Sequence, residues 1–466
     1  MNGGSSAMSM INHAISRRQF LQGGLSLASA GVLLGPSAGR SFAGSARSTI
    51  DAQQNVTISL GHWWGDQFSY YIPILKQGIG IDVEEQRTPY AQFDQKLLTQ
   101  LAGNTAPDVF LWDAVNNGSI FSSNVVQPFD DYLAANSVDM SKWNISPSTE
   151  VGFNGKIMGL PTFTMQDLIV HVNKALAERD NLLKDAPLWG TDNFDTWRWN
   201  DLVDWLKAGT KSVNGVVQQY GLGDTSQGQP ASILRALIAS NGGNVFDDDW
   251  NYNETKSLLD QDPVLDAAQK VVDLFQVHKV APLPGEESAT PGGTYLGKRA
   301  MAAINWSTPS VYPEANTFAQ EHFHLPYSQS KVHAIGGNQL MVNIASKNID
   351  ASQEWVMRFC LDDQVRTKFL EVSSVPAYDP LPIVAASPSG TPKTIALINL
   401  SRIANVSSLP NNAINVVTYP RWYGNKASKF TQQTIKDALN KAILGSASVK
   451  DAFAEAKRAV DAELGA

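Results

Sequence analysis

Two short runs of this sequence place indole rings beside carboxylates. One is Gly61-His62-Trp63-Trp64-Gly65-Asp66; the other is Trp112-Asp113, followed by Asn116 and Asn117. Each run follows a stretch with strand character. Val56-Thr57-Ile58-Ser59-Leu60 alternates and is β-branched, and Asp108-Val109-Phe110-Leu111-Trp112 is short and mostly apolar. Ligands in open parallel sheets gather beyond the carboxyl ends of the strands, so both loops are expected on one edge. An indole face suits the C–H face of a sugar ring, and carboxylates accept from its hydroxyls. A hydrogen bond to a charged group contributes about 1.5–3 kcal/mol, or roughly 10- to 100-fold in affinity. The same box of Trp63, Trp64, Asp66 and Asp113, with Asp167 further along the chain, suits an organic cation, such as a polyamine or a betaine, through cation–π contact. Alternation sends one ring of the Trp63-Trp64 pair into the core and the other towards the cleft. Trp112→Ala is expected to weaken ligand binding about tenfold.

Other chemistries find no matching pattern. Gly297-Lys298 continues into Arg299, so there is no phosphate-binding GxxxxGK[ST] loop, and no GxSxG elbow occurs. His322-Phe323-His324 alternates along an expected strand, which is read as sending its rings to opposite faces or burying one. It lacks neighbouring zinc-ligand spacing. Asp247, Asp249 and Asn251 imitate a calcium loop, but Tyr252 and Leu258 stand where that loop requires Gly and Glu. No metal, no cofactor and no catalytic role is therefore expected. Paired carboxylates can hydrolyse glycosides, so a periplasmic glycoside-processing enzyme is the alternative of a different class, supported only by scattered Asp and Glu. A net charge of −8 argues against nucleic acid, which wants a concentrated basic surface. With 12 Trp and 12 Tyr, the chain has more aromatics than a core requires, leaving some for a binding cleft.

The elements that must position these residues follow a leader. Ser16-Arg17-Arg18-Gln19-Phe20-Leu21 sets a twin arginine before an uncharged stretch from Phe20 to Gly35, with small residues at Ser41 and Ala43. The stretch is shorter than the roughly 20 residues a membrane span needs. Residues 1–45 thus read as a cleavable twin-arginine signal leading to the periplasm; the competing reading is a short buried helix. The single cysteine, Cys360, allows neither an internal disulfide nor a lipid anchor at the cleavage site. About 420 residues remain, enough for two domains. A helical pattern through Phe93, Leu97, Leu98 and Leu101 is ended by Gly103, completing a strand–helix–strand unit of a parallel α/β sheet. Asp262-Pro263 caps and opens a helix with Leu265, Ala268, Val272 and Phe275 on one face, and residues 301–306 form a buried strand. Residues 385–392 read as a loop. Ile435, Leu439 and Ile443 share a helical face closed by Leu444-Gly445, and Ser448 with Asp451 starts a last helix bearing Val449, Phe453, Ala456 and Val460.

In this order the segments resemble the extracellular solute-binding proteins of family 1, which include maltose- and glycerol-phosphate-binding proteins. Leu101-Ala102-Gly103-Asn104-Thr105-Ala106-Pro107-Asp108-Val109-Phe110 is similar to that family's Gly, small, Pro-Asp-Val entry to its third strand region. Asn154-Gly155-Lys156-Ile157-Met158-Gly159-Leu160-Pro161 resembles its NGKxYGLP segment. Val172-Asn173-Lys174 resembles YNK with Val172 in place of Tyr, and Gly297-Lys298-Arg299-Ala300-Met301 resembles GKxAM. Ile344-Ala345-Ser346-Lys347 with Trp355 and Phe359 completes the series, which runs from Leu101 to Phe359.

The resemblance implies a two-lobed α/β fold of the periplasmic-binding-protein type (type II). Ligand is then held between lobes that close by hinge motion. Carried onto this chain, lobe one comprises 55–165 and 333–375, and lobe two comprises 166–332 and 376–466. The crossings fall near 164–167, 332–336 and 375–377. The first crossing adds Phe163, Gln166 and Asp167 to the site, although Asp167 also suits a turn cap. Trp112 matches a tryptophan of the maltose-binding members, and Trp422-Tyr423 resembles a pair in the same context. Trp306 sits slightly earlier than the equivalent stacking residue. The implied function is capture of a carbohydrate or polyol and its delivery to the membrane subunits of an ABC permease, with the binder a monomer.

Overall fold

The computed structural model describes residues 56–113, 120–143, 152–162, 168–223, 229–247, 254–286, 293–306, 318–335, 337–407, 415–418 and 429–465. The leader, Phe163, Gln166, Asp167, Trp422 and Tyr423 lie outside these residues. Among the described residues no helix is long and apolar enough to cross a membrane.

Two separate five-stranded sheets organise the chain. Sheet one has the order β2-β1-β3-β13-β6, from β1 (Thr57–His62), β2 (Asp82–Arg87), β3 (Val109–Asp113), β6 (Leu160–Pro161) and β13 (Asn338–Val342). The first three are parallel, with Leu60 level with Val109, whereas β13 runs antiparallel to both β3 and β6. The parallel sheet expected from the sequence is therefore mixed. Alternation along β3 sorts its side chains between two cores. Val109 and Leu111 join Ile58 and Leu60 under α1 (Phe68–Ile79) and α9 (Ile349–Leu361), while Phe110 and Trp112 face α2 (Tyr90–Ala102) with Phe93, Leu97 and Leu101. Between β3 and β6, the strands β4 (Gly152–Phe153) and β5 (Lys156–Ile157) pair around Asn154-Gly155, both at positive φ. Two such residues give the turn whose twist matches a hairpin.

Sheet two has the order β11-β7-β10-β9-β8, from β7 (Leu168–Asn173), β8 (Lys211–Val213), β9 (Val216–Leu222), β10 (Ala300–Trp306) and β11 (Gln320–His324). Leu168, Val170, Val172, Ile304 and Phe323 fill its main core against α5 (Trp199–Gly209) and α7 (Asp262–Gln276). The hairpin α13 (Lys429–Ile443) and α14 (Val449–Leu464) packs on α7, with Ile435, Leu439, Ile443, Phe453, Ala456 and Val460 all buried as their spacing predicts. The opening of α7 differs from expectation. Gln261 occupies the N-cap, Asp262 and Pro263 lie in the first turn, and the buried stripe centres on Val264, Ala267, Val271 and Leu274, leaving Leu265 and Phe275 partly covered. Residues 385–392 are also more ordered than expected, because α11 (Pro380–Ala386) and α12 (Thr391–Ser407) leave only a short turn between them.

The far face of sheet two is polar yet buried. His322 and His324 do not diverge: residues two apart on a strand share a face, and both rings lie opposite Phe323 and are covered. His322 is level with His171 across the β7–β11 ladder, with ring centroids 5.0 Å apart, and Phe194 packs on His324. Ile395 and Ile398 of α12 cover this face beside Ile169, while Ala396 and Leu400 of the same helix join Leu370 and Val375. The segment at 332–335 forms β12, which pairs in parallel with β14 (Asn415–Thr418).

Candidate ligand-binding site

The carboxyl ends of β1 and β3 open on one edge of sheet one, as their parallel register requires. Gly61 lets them converge there: a Cβ at this position would stand 2.7 Å from the Pro107 ring that leads into β3. Beyond Gly61 the two tryptophans part. Trp64 turns inward, 9% exposed, stacks on Phe68 at 5.0 Å and donates its indole N–H to Asn338 Oδ1 at 3.1 Å. Trp63 stays half-buried, edge-on to Tyr90 at 5.4 Å and to Phe93 at 4.9 Å.

Tyr90, the first residue of α2, is 52% exposed and donates its hydroxyl to Asp113 Oδ2 at 3.2 Å. One residue thus joins the two loops picked out in the sequence, giving a continuous Trp63–Tyr90–Asp113 surface. On the neighbouring strand, Arg87 is level with His62 and donates to Asp66 Oδ1 at 3.0 Å. Asp66 is 88% exposed, so this pair adds little to stability, on the order of 0–1 kcal/mol. Behind them His62 is fully covered, with Nε2 3.0 Å from Glu85. Burial lowers its pKa and the Glu85 carboxylate partly restores it. The edge therefore presents an aromatic surface, a hydroxyl, carboxylates and a guanidinium, the donors and acceptors a polyhydroxylated solute needs.

Trp112 corrects the expectation of an open stacking face. Its side chain is 1% exposed within the core under α2, and its indole N–H has no hydrogen-bond partner among the described residues. The cause is strand alternation: Asp113 reaches the edge because Trp112 points the other way. Trp306 ends β10 on sheet two, half-buried against that sheet's core, and its carbonyl lies 3.3 Å from His171 Nε2. The structure thus brings Trp63 and Asp113 together, with Asp66 on the same edge; it sets Trp64 and Trp112 behind them, and Trp306 on the other sheet. Tyr90 and Arg87 were missed because β2 was not read as a strand. Its Glu84, Glu85 and Arg87 break the apolar pattern, as charged edge strands do. The Pro89-Tyr90 start of α2 was the available signal.

A model of the bacterial extracellular solute-binding protein family matches residues 65–365, more than half of the chain. The chain belongs to that family. The solute-binding fold recurs in solved structures at low identity. An ABC substrate-binding protein from Listeria monocytogenes, in complex with cycloalternan, has a TM-score of 0.72 at 16% identity, over 88% of this chain and 100% of that one. A cyclic α-maltosyl-1,6-maltose binding protein from Arthrobacter globiformis has a TM-score of 0.65 at 18% identity, over 88% and 99%. The Thermus thermophilus maltotriose binding protein, bound with maltotriose, has a TM-score of 0.64 at 16% identity, over 87% and 98%. The fold is accordingly the two-lobed α/β fold of periplasmic binding proteins, and the family consists of binding proteins.

Proposed function

We propose that this protein captures a carbohydrate between two lobes and delivers it to an ABC permease. The observation that carries this reading is the Trp63–Tyr90–Asp113 surface at the carboxyl edge of sheet one, in a chain of the solute-binding family. Asp66 and Arg87 extend it with charged hydrogen-bonding groups, each stronger than a neutral pair. Sugar complexes among the structural neighbours, with cycloalternan and with maltotriose, favour an oligosaccharide over an organic cation. Residues 55–165 with 333–375 form lobe one in this proposal, and 166–332 with 376–466 form lobe two. Phe163, Asp167, Trp306, Trp422 and Tyr423 are proposed as further ligand contacts on the strength of the family resemblance. Trp64 and Trp112 support the site from behind. The mature protein follows the twin-arginine route to the periplasm and acts there as a monomer, without enzymatic turnover.

The test is a thermal-shift screen of the mature protein against maltotriose, mannobiose, cyclic glucans, glycerol phosphate, spermidine and glycine betaine. Ligand at 100 times its Kd stabilises the folded state by about 2.7 kcal/mol, so the expected result is a raised Tm with one sugar class. A shift with spermidine or betaine alone would overturn the carbohydrate assignment. Release of product from an aryl glycoside would overturn the binding role.

A further inference from the structure

Three distant segments of the chain meet at Asn338. Its backbone carbonyl accepts from the Thr162 N–H at 2.9 Å and from the Thr162 hydroxyl at 2.7 Å. Thr162 in turn accepts from the Ala377 N–H at 3.2 Å. Each partner sits where the chain leaves or rejoins the frame of sheet one. Thr162 follows β6, Asn338 opens β13 just beyond β12, and Ala377 lies between α10 (Asp363–Val372) and α11. The Asn338 side chain is 3% exposed, and its Oδ1 receives the indole N–H of Trp64. The same residue is level with Asp113 across the β13–β3 ladder.

We infer that the Trp64–Asn338 hydrogen bond is a positioning link that ties the Trp63-bearing loop to the junction of the three segments running between the lobes. This rests on the solute-capture reading above for its role in binding, but the link itself is a property of the free protein. Trp64 is a positioning residue: it acts through the loop and does not touch the solute. Losing its N–H leaves Asn338 Oδ1 buried without that donor. The loop, Thr162 and Ala377 then lose a shared constraint, which the intact protein uses to hold Trp63 in place as the junction bends.

Amide exchange on the ligand-free mature protein tests the link directly. Trp64→Phe keeps the ring against Phe68 and removes only the donor, while Asn338→Leu removes the acceptor and keeps Trp64. Both variants are expected to speed exchange at the Thr162 and Ala377 amides about fivefold or more, with the central amides of β1 and β3 unchanged. Unaltered exchange at Thr162 and Ala377, or uniform acceleration across sheet one, would overturn the inference and leave Trp64 a packing residue. Titration with maltotriose and mannobiose supplies the second arm. Trp64→Phe should weaken sugar binding about fivefold, and this loss should vanish in a Trp63→Ala background, because the link acts through Trp63. Additive losses would overturn that route. A wild-type protein that binds neither sugar counts against the carbohydrate reading, and the exchange result then decides the link alone.

Discussion

Trp63 and Trp112 occupy opposite environments although each lies beside a carboxylate-bearing loop. Trp63 packs edge-on against Tyr90 and Phe93 at the sheet edge, whereas Trp112 is buried under α2. Truncating a buried Trp typically costs about 3–5 kcal/mol through lost burial and the cavity left behind. Trp112→Ala is thus expected to lower unfolding stability by about that amount in urea titrations. Trp63→Ala should cost less stability and weaken sugar binding about tenfold in calorimetry. A Trp112→Ala protein of unchanged stability would contradict the burial described above. Tyr90 allows a finer measurement: Tyr90→Phe keeps the ring contact with Trp63 and removes the donor to Asp113. Its melting temperature should stay near wild type while sugar affinity falls several-fold, about 1 kcal/mol for a net hydrogen bond.

Helix ends and strand faces obey local rules that are visible before folding. Ser448 caps α14, accepting from the Asp451 N–H at 3.1 Å, as Ser with an acidic residue three positions on predicts. Ser448→Ala should destabilise by about 1 kcal/mol in thermal or urea unfolding. The β7–β11 ladder responds instead to pH. Burial depresses His322 from its ordinary 6.5 to about 4. Burial, reinforced by the neighbouring His322, also holds His171 well below its ordinary range. Both rings are neutral when folded, so below pH 6.5 the unfolded chain binds more protons and stability falls. For His322 the loss runs from pH 6.5 down to about 4, at up to about 1.4 kcal/mol per pH unit. The melting temperature should drop across that window, and His322→Gln should flatten the slope. An unchanged slope in the variant would place the proton uptake elsewhere. Sequence reasoning found this strand, but it read the rings as going to opposite faces or one of them as buried, and did not see that both share a face under the cover that α12 provides.

At the scale of the molecule, two sheets are built from chain segments that interleave. Sheet one takes β13 from beyond all of sheet two, and α12 packs against elements of both. A ligand held between lobes should draw them together, so small-angle scattering is expected to show a smaller radius of gyration once the binding sugar saturates the protein. No change at saturation would mean capture on one lobe alone. The amino-acid sequence by itself determined β1, β3, β10 and α2 through their periodicity, the last two helices with their shared buried face, and the family through an ordered series of short motifs. Only the tertiary structure decided which of Trp63 and Trp64 enters the core. It also decided that Trp112 is covered, that Tyr90 meets Asp113 across 23 positions, and that Trp64 meets Asn338 across 274. Periodicity reports how a segment faces its own neighbours along one element, whereas these pairings depend on strand register and on where separate elements meet. No local pattern encodes that distance.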